Sequence, residues 1–123
     1  MPHAINWFEI PVSDFDRAKK FYDVLFDTTL QPIENMGMKS AFFPADFEKG
    51  EIGGCIVHGE GYQPSKSGSL VYLNGGDDLS IMLARVEKAG GKILVPKTGI
   101  PPHGFMAYFE DSEGNKIGLH SNN

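Results

Sequence analysis

The hydrophobic pattern of the first residues changes from strand-like to helical spacing within a short stretch. Residues 4–12 (AINWFEIPV) are rich in Ile, Trp, Phe and Val, which predicts a strand whose end, at Pro11, lies at a sheet edge or a bulge. Ser13 or Asp14 then caps a helix, because apolar residues recur three and four positions apart beyond them. These residues are Phe15, Ala18, Phe21, Tyr22, Leu25 and Phe26. The pattern predicts one amphipathic helix packed on a sheet.

Short apolar runs separated by turn residues follow this helix. They predict three strands, at residues 29–34, 39–44 and 52–58. Residues 59–68 (GEGYQPSKSG) combine three Gly, one Pro and two Ser, a composition typical of a connector.

The same order of elements then repeats. A strand is predicted at residues 69–74, and Asp77 or Asp78 caps a helix at residues 79–90 that stops at Gly90 and Gly91. The remaining strand predictions are residues 92–95, 105–109 and 116–120. The chain therefore predicts βαβββ twice: module 1 at about residues 1–60, the connector at about 59–68, and module 2 at about 68–123. Repeated units of this size usually pair about a pseudo-twofold axis, and 123 residues are enough for one domain.

Charge and composition exclude some classes of partner. The net charge of −5 and the scattered distribution of eleven Lys and Arg argue against nucleic acid. No apolar run is long enough to span a bilayer, and the first residues show no signal-peptide pattern, so we expect no membrane partner and a cytoplasmic location. A single cysteine, Cys55, fits a reducing compartment.

Two segments carry a resemblance to a known family. The opening INWFEIPVSDFDRAKKFYDVLF and the closing YFEDSEGNKIGLH, set in a repeated βαβββ frame, resemble the vicinal oxygen chelate superfamily, which includes glyoxalase I, bleomycin-binding proteins, fosfomycin-resistance enzymes and extradiol dioxygenases. The resemblance implies an α+β fold in which tandem βαβββ modules form an eight-stranded, incompletely closed cup with one outer helix per module. It also implies a homodimer and a small organic molecule as the partner.

Family members that depend on a metal take its ligands from the first and last strands of each module. Carried over to this chain, those positions fall on Trp7, Gly54, Ser69 and Gly118, none of which is a strong metal ligand. We therefore predict no metal site and no cofactor. The alternative is a divalent metal held at a rebuilt site by Glu9 and His120.

Three residues are candidates for catalysis. Glu9, between Phe8 and Ile10, either faces solvent or lies in the cup, where it can act as a general base. Tyr108 matches a position whose hydroxyl lines the pocket of fosfomycin-resistance enzymes, and it is equally a packed strand aromatic. His120 follows Gly118 on the same strand face, although a histidine near a C-terminus is more often solvated.

Several further residues are candidates for the ligand pocket. Trp7 is either a platform for the ligand or a side chain that fills the core. Ser69 is a pocket candidate because it stands at one of the metal-ligand positions of the family. His103 lies on a loop stiffened by two prolines and is equally a surface histidine. Phe105 and Met106 lie on the strand of Tyr108. Gly118 is expected in ordinary β conformation on the concave side, where its missing side chain leaves room above the sheet.

These candidates support three hypotheses. The first is a glyoxalase-related lyase or isomerase without the usual metal, in which Glu9 removes a proton next to a carbonyl and Tyr108 or His120 polarises the oxygen. The second is a non-catalytic protein that sequesters a cationic or planar compound, as the bleomycin-binding members do. The third is a metal-dependent lyase or dioxygenase with a rebuilt site.

Overall fold

The first module forms a four-stranded sheet with one long helix. The structure, a computed structural model, describes residues 3–35 and 37–123. The elements of this module are β1 (Trp7–Pro11), α1 (Phe15–Phe26), β2 (Gln31–Asn35), β3 (Met38–Phe42) and β4 (Gly53–His58), with a short 3-10 helix at Phe47–Lys49. The strand order is β1-β4-β3-β2, with β1 parallel to β4 and the other pairs antiparallel.

The second module repeats this topology. Its elements are β5 (Tyr72–Asn74), α2 (Leu79–Leu83), α3 (Val86–Ala89), β6 (Lys92–Gly99), β7 (Phe105–Glu110) and β8 (Lys116–Ser121), and its strand order is β5-β8-β7-β6. Within the described residues there are thus two open sheets of four strands, which confirms the predicted α+β fold of two βαβββ modules. No described helix is long and apolar enough to cross a membrane.

Three predicted elements of the second module differ from the structure. The strand predicted at residues 92–95 extends to Gly99 as β6. The helix predicted at residues 79–90 is two short helices, because Arg85 N–H bonds three residues back to the Met82 carbonyl and its guanidinium donates to the Leu25 carbonyl in α1. Regular pairing in β5 begins only at Tyr72, although the Val71 carbonyl already accepts a bond from Gly118 N–H. Ser69 therefore lies before the strand rather than in it.

Helix α1 packs against both modules. Asp14 caps it by accepting a bond from Arg17 N–H, and Asp27 ends it in the left-handed conformation, with φ of 52°. Its buried face meets β3 and β4 of its own sheet, and the Phe21 ring lies 5.9 Å from that of Phe109 in β7. The buried apolar residues of both modules consequently form one core.

The β7–β8 hairpin ties the modules together through its turn, which has the sequence F-x-D-x-x-G-N. Tyr22 donates to Asp111 at 2.7 Å, and Asn115 Nδ2 donates to the Pro11 carbonyl at 2.8 Å. Burial raises the pKa of Asp111 despite the hydrogen bond from Tyr22, which acts to lower it. Together the contacts hold the start of β8 beside the end of β1, which brings the two edge strands β1 and β5 close to each other.

Candidate functional site

A cavity of about 560 Å³ lies between edge strand β1 and the segment that leads into β5. We call it the intermodule cleft. Three phenylalanines, Phe8, Phe26 and Phe43, form its apolar wall, with ring centroids 5.1–5.5 Å apart along the row. The polar residues of the lining are Glu9, Ser69, Tyr72 and Asn74. An apolar cavity of this size with few polar groups is typical of small-molecule sites.

Glu9 is the acidic residue of the cleft lining. Alternation along β1 buries Ile10 in the core and turns Glu9 to the open side of the sheet, in register with Cys55 of β4. Its Oε1 accepts a hydrogen bond of 3.2 Å from the Tyr62 hydroxyl of the connector. Burial, with a smaller contribution from Glu9, raises the pKa of the Cys55 thiol to about 11.

Trp7 shares the open side of β1 with Glu9 and stands outside the cleft. Its ring lies 5.1 Å from Phe42 and 6.2 Å from Phe47, and Phe47 covers Gly53, the strand partner of Trp7. Trp7 is therefore part of an aromatic cluster on the first sheet, half-buried by its neighbours.

Gly118 lies in regular β8 pairing, as predicted, opposite both Tyr72 and Tyr108. The prediction of open room above it is wrong, because the Tyr72 ring occupies that space: a Cβ added to Gly118 would lie 2.6 Å from Tyr72 Cδ2. The hydroxyls of Tyr72 and Tyr108 are hydrogen-bonded to each other. This bond, together with burial, raises the pKa of Tyr72 to about 12. Lys116 lies over the Tyr108 ring, 4.5 Å from its centroid.

A second cavity, also of about 560 Å³, shares Tyr72, Leu73 and Asn74 of β5 with the intermodule cleft. We call it the histidine cavity, since His120 lines it together with Asn74 and Ile100. His120 Nε2 lies 2.6 Å from the His103 carbonyl, which only accepts, so Nε2 carries the hydrogen. Nδ1 is therefore the ring nitrogen of His120 that is left for a ligand. His103 holds His120 through its backbone carbonyl, and the side chain of His103 is exposed.

The two pocket candidates on β7 face opposite ways. Met106 pairs with His120 and shares the open face with Tyr108. Phe105 lies on the other face, packed against the core and under the Lys97 ammonium at 4.5 Å. Phe105 therefore does not belong to the same surface as the other candidates, because neighbouring residues of a strand point to opposite faces.

The connector crosses the open side of both sheets. Tyr62 reaches Glu9 of the first sheet, while the Lys66 ammonium lies 2.9 Å from the Glu110 carboxylate of the second. Between them, Ser65 N–H donates to Asn115 Oδ1 at 2.9 Å. The open faces of the two sheets therefore lie on the same side of the molecule.

The donor set does not fit a catalytic divalent metal. Gly54 faces away from the open side, against the Phe8 ring, and the strand partner of Gly118 is Tyr72 rather than Ser69. Glu9 and His120 are held by different partners on different sheets. Within residues 3–35 and 37–123, no three His, Cys, Asp or Glu side chains are grouped to hold a metal ion.

Tyr72 and Tyr62 are the site residues that the sequence analysis missed. Val12 N–H bonds to the Val57 carbonyl, and Gly75 N–H bonds to the His120 carbonyl in the same way. Glu9 and Tyr72 each stand three residues before those donors, opposite Cys55 and Gly118, so they occupy equivalent positions in the two modules. These two backbone hydrogen bonds, which the sequence does not show, identify Tyr72 as the counterpart of Glu9.

A family model for the Glyoxalase/Bleomycin resistance protein/Dioxygenase superfamily matches residues 4–119. The chain belongs to this superfamily. A glyoxylase-like domain-containing protein of Didymella fabae is 34% identical over 117 residues, covering 90% of this chain and 88% of the relative.

Solved structures of the superfamily share the fold. A glyoxalase/bleomycin resistance protein from Albidiferax ferrireducens has a TM-score of 0.76 at 19% identity, over 98% of this chain and all (100%) of that one. A glyoxalase I variant from Zea mays has a TM-score of 0.71 at 21% identity, and the match covers 98% of this chain but only 47% of the maize protein. A fosfomycin resistance protein from Listeria monocytogenes has a TM-score of 0.65 at 16% identity, over 100% of this chain and 93% of that one.

Proposed function

We propose that this superfamily member binds a small organic molecule in the intermodule cleft. The observation that carries the proposal is the cavity itself, which lies between the modules and is lined by a phenylalanine wall and by the acidic residue Glu9. A planar apolar body against the rings, with a polar or cationic group toward Glu9, is the ligand shape that this lining favours. Homodimerisation and a cytoplasmic location stay predictions.

The first form of this function is catalytic: a glyoxalase-related lyase or isomerase. Glu9 is the base that removes a proton next to a carbonyl, and the hydrogen-bonded tyrosine pair is the donor for the oxygen that gains charge. Glu9 and Tyr72 line the same cleft, which supports this division of roles. His120 is less suited to polarise an oxygen through Nε2, since that hydrogen is already donated to His103.

The second form is sequestration of a cationic or planar compound without chemistry. A cleft lined by an acidic residue and by stacked aromatic rings favours it, because both kinds of group attract a cation. The net charge of −5 also attracts a cationic ligand, at long range.

One substitution separates the two forms. Glu9→Gln keeps the shape of the side chain and removes its charge and basicity. Binding is measured by calorimetry with bleomycin and fosfomycin, the compounds named by the relatives, and turnover is measured as deuterium exchange next to the carbonyl in a panel of carbonyl compounds and glutathione adducts. If Glu9→Gln abolishes exchange while carbonyl ligands still bind, the protein is an enzyme. If wild type shows no exchange and Glu9→Gln weakens only cationic ligands, it is a binding protein.

Tyr62→Phe is the matched control for both forms. It removes the hydrogen bond to Glu9 and leaves the carboxylate in place. If no compound binds wild type, or if Phe8→Ala, which truncates the cleft wall, leaves binding unchanged, the cleft is not the site.

A further inference from the structure

Tyr72 is the aromatic side chain shared by two cavities. It lines the intermodule cleft together with Glu9, and it lines the histidine cavity together with His120. Each cavity has a volume of about 560 Å³. Leu73 and Asn74 of β5 also line both cavities, but Leu73 is buried in the core and Tyr72 carries the largest side chain of the three.

Two neighbours hold the ring in place. Gly118 gives it room to lie across the sheet, since a Cβ there would lie 2.6–3.0 Å from three ring atoms. The hydroxyl of Tyr108, on β7, is hydrogen-bonded to the hydroxyl of Tyr72 across the intervening strand β8. The Tyr72 ring is therefore held at its hydroxyl end as well. Tyr72 is nevertheless 47% exposed, on an edge strand, so neither contact is needed to bury the core.

We propose that Tyr72 is a specificity-determining residue that separates the intermodule cleft from the histidine cavity and so limits the length of the ligand. The proposal rests on the cleft being the ligand site. In its anchored position the ring ends the cleft, and a ligand longer than the cleft meets the ring instead of reaching His120. A smaller residue at position 72 joins the two cavities and admits longer ligands.

A series of rigid cations of increasing length tests this. The probes are benzyl-, 4-biphenylmethyl- and p-terphenylmethyl-trimethylammonium, titrated by calorimetry into wild type, Tyr72→Ala and Tyr72→Phe. We expect Tyr72→Ala to bind the terphenyl probe at least about tenfold more tightly than wild type does, while the affinity for the benzyl probe changes much less. Tyr72→Phe keeps the ring as a wall, so we expect it to retain most of the preference for the short probe.

Gly118→Ala perturbs the Tyr72 ring from the neighbouring strand β8. Its Cβ displaces the ring without removing it, so we expect a partial gain for the longer probes and loss of the Tyr72–Tyr108 hydrogen bond. Circular dichroism and thermal melting check that each variant is folded.

The outcomes separate this inference from the proposed function. If the benzyl probe binds wild type and Phe8→Ala weakens it, but Tyr72→Ala leaves the ratio of affinities for the three probes unchanged, Tyr72 has no role in specificity and the cleft remains the site. If no probe binds wild type but the longer ones bind Tyr72→Ala, the inference is supported. If none binds either protein, both proposals fail.

Discussion

The guanidinium of Arg17, in helix α1 of the first module, donates from Nε to Oε2 of Glu113, in the last hairpin of the second, at 2.7 Å. The same carboxylate accepts bonds from the backbone N–H groups of Ser13 and Asp14, at 3.0 and 2.7 Å. Glu113 therefore caps a helix of the other module, and its side chain is fully covered. Burial alone would raise the pKa of Glu113, but these hydrogen bonds lower it to about 2.

Glu113→Gln should destabilise the fold by roughly 1.5–3 kcal/mol at neutral pH, because charge-assisted hydrogen bonds to two N–H groups and a guanidinium are weakened. Urea unfolding measures the effect. Glu87→Gln, at an exposed position of α3, is the control and should change stability by less than about 0.5 kcal/mol. Equal effects of the two substitutions would contradict the role of Glu113.

The same carboxylate predicts a pH dependence. Its pKa in the folded protein, about 2, lies below the ordinary value of 4.5, so its contribution is complete above about pH 4.5 and is lost as the pH falls toward 2. The difference in unfolding free energy between wild type and Glu113→Gln should shrink over this interval. A difference independent of pH between 5 and 2.5 would show that the charge of Glu113 does not account for its stabilising contacts with Arg17 and the start of α1.

Tyr22→Phe should cost about 1–3 kcal/mol, since it removes the hydroxyl that donates to the buried Asp111 carboxylate. Tyr62→Phe is the matched control, because its hydroxyl bonds the exposed Glu9 and its loss should cost little. Thermal melting of the two variants side by side measures the difference. A loss as large for Tyr62→Phe would mean that the connector contact matters for stability as much as the buried network does.

Two glycine substitutions should differ in cost because of what the new Cβ meets. In Gly91→Ala the Cβ would lie 2.6 Å from the Glu110 carbonyl oxygen, backbone that cannot move aside, and we expect a loss of about 2 kcal/mol or more. In Gly118→Ala it meets the exposed Tyr72 ring, which can swing away, so we expect about 1 kcal/mol or less. Chemical denaturation tests the order, and the reverse order would show that the Tyr72 ring is held rigidly.

The thiol of Cys55 should react slowly with a disulfide reagent at pH 8. Burial and the neighbouring Glu9 raise its pKa to about 11, which keeps it protonated and covered. We expect full labelling only after unfolding in urea, and faster labelling of folded Glu9→Gln. Labelling of folded wild type at the rate of the unfolded chain would contradict the burial of the Cys55 side chain.

The sequence by itself determined the repeated βαβββ order, the outer helix of the first module and the hairpin formed by β7 and β8. These depend on local periodicity, caps and turn residues, which act over a few positions, so a single chain reveals them. The family resemblance predicted the cup-shaped fold and the loss of the usual metal ligands, since the residues at the ligand positions can be read from the sequence alone.

Only the tertiary structure decided which side chains meet. The register of β5 on β8 depends on bonds from Gly118 to Val71 and from Gly75 to His120, between segments more than forty residues apart, and it places Tyr72 rather than Ser69 opposite Gly118. The packing of α1 against both sheets brings β1 beside β5 and so creates the cleft that Glu9 and Tyr72 line. Alternation divides a strand into two faces, but long-range packing chooses which face is buried, and for that reason Phe105 joined the core while Tyr108 stayed on the open side.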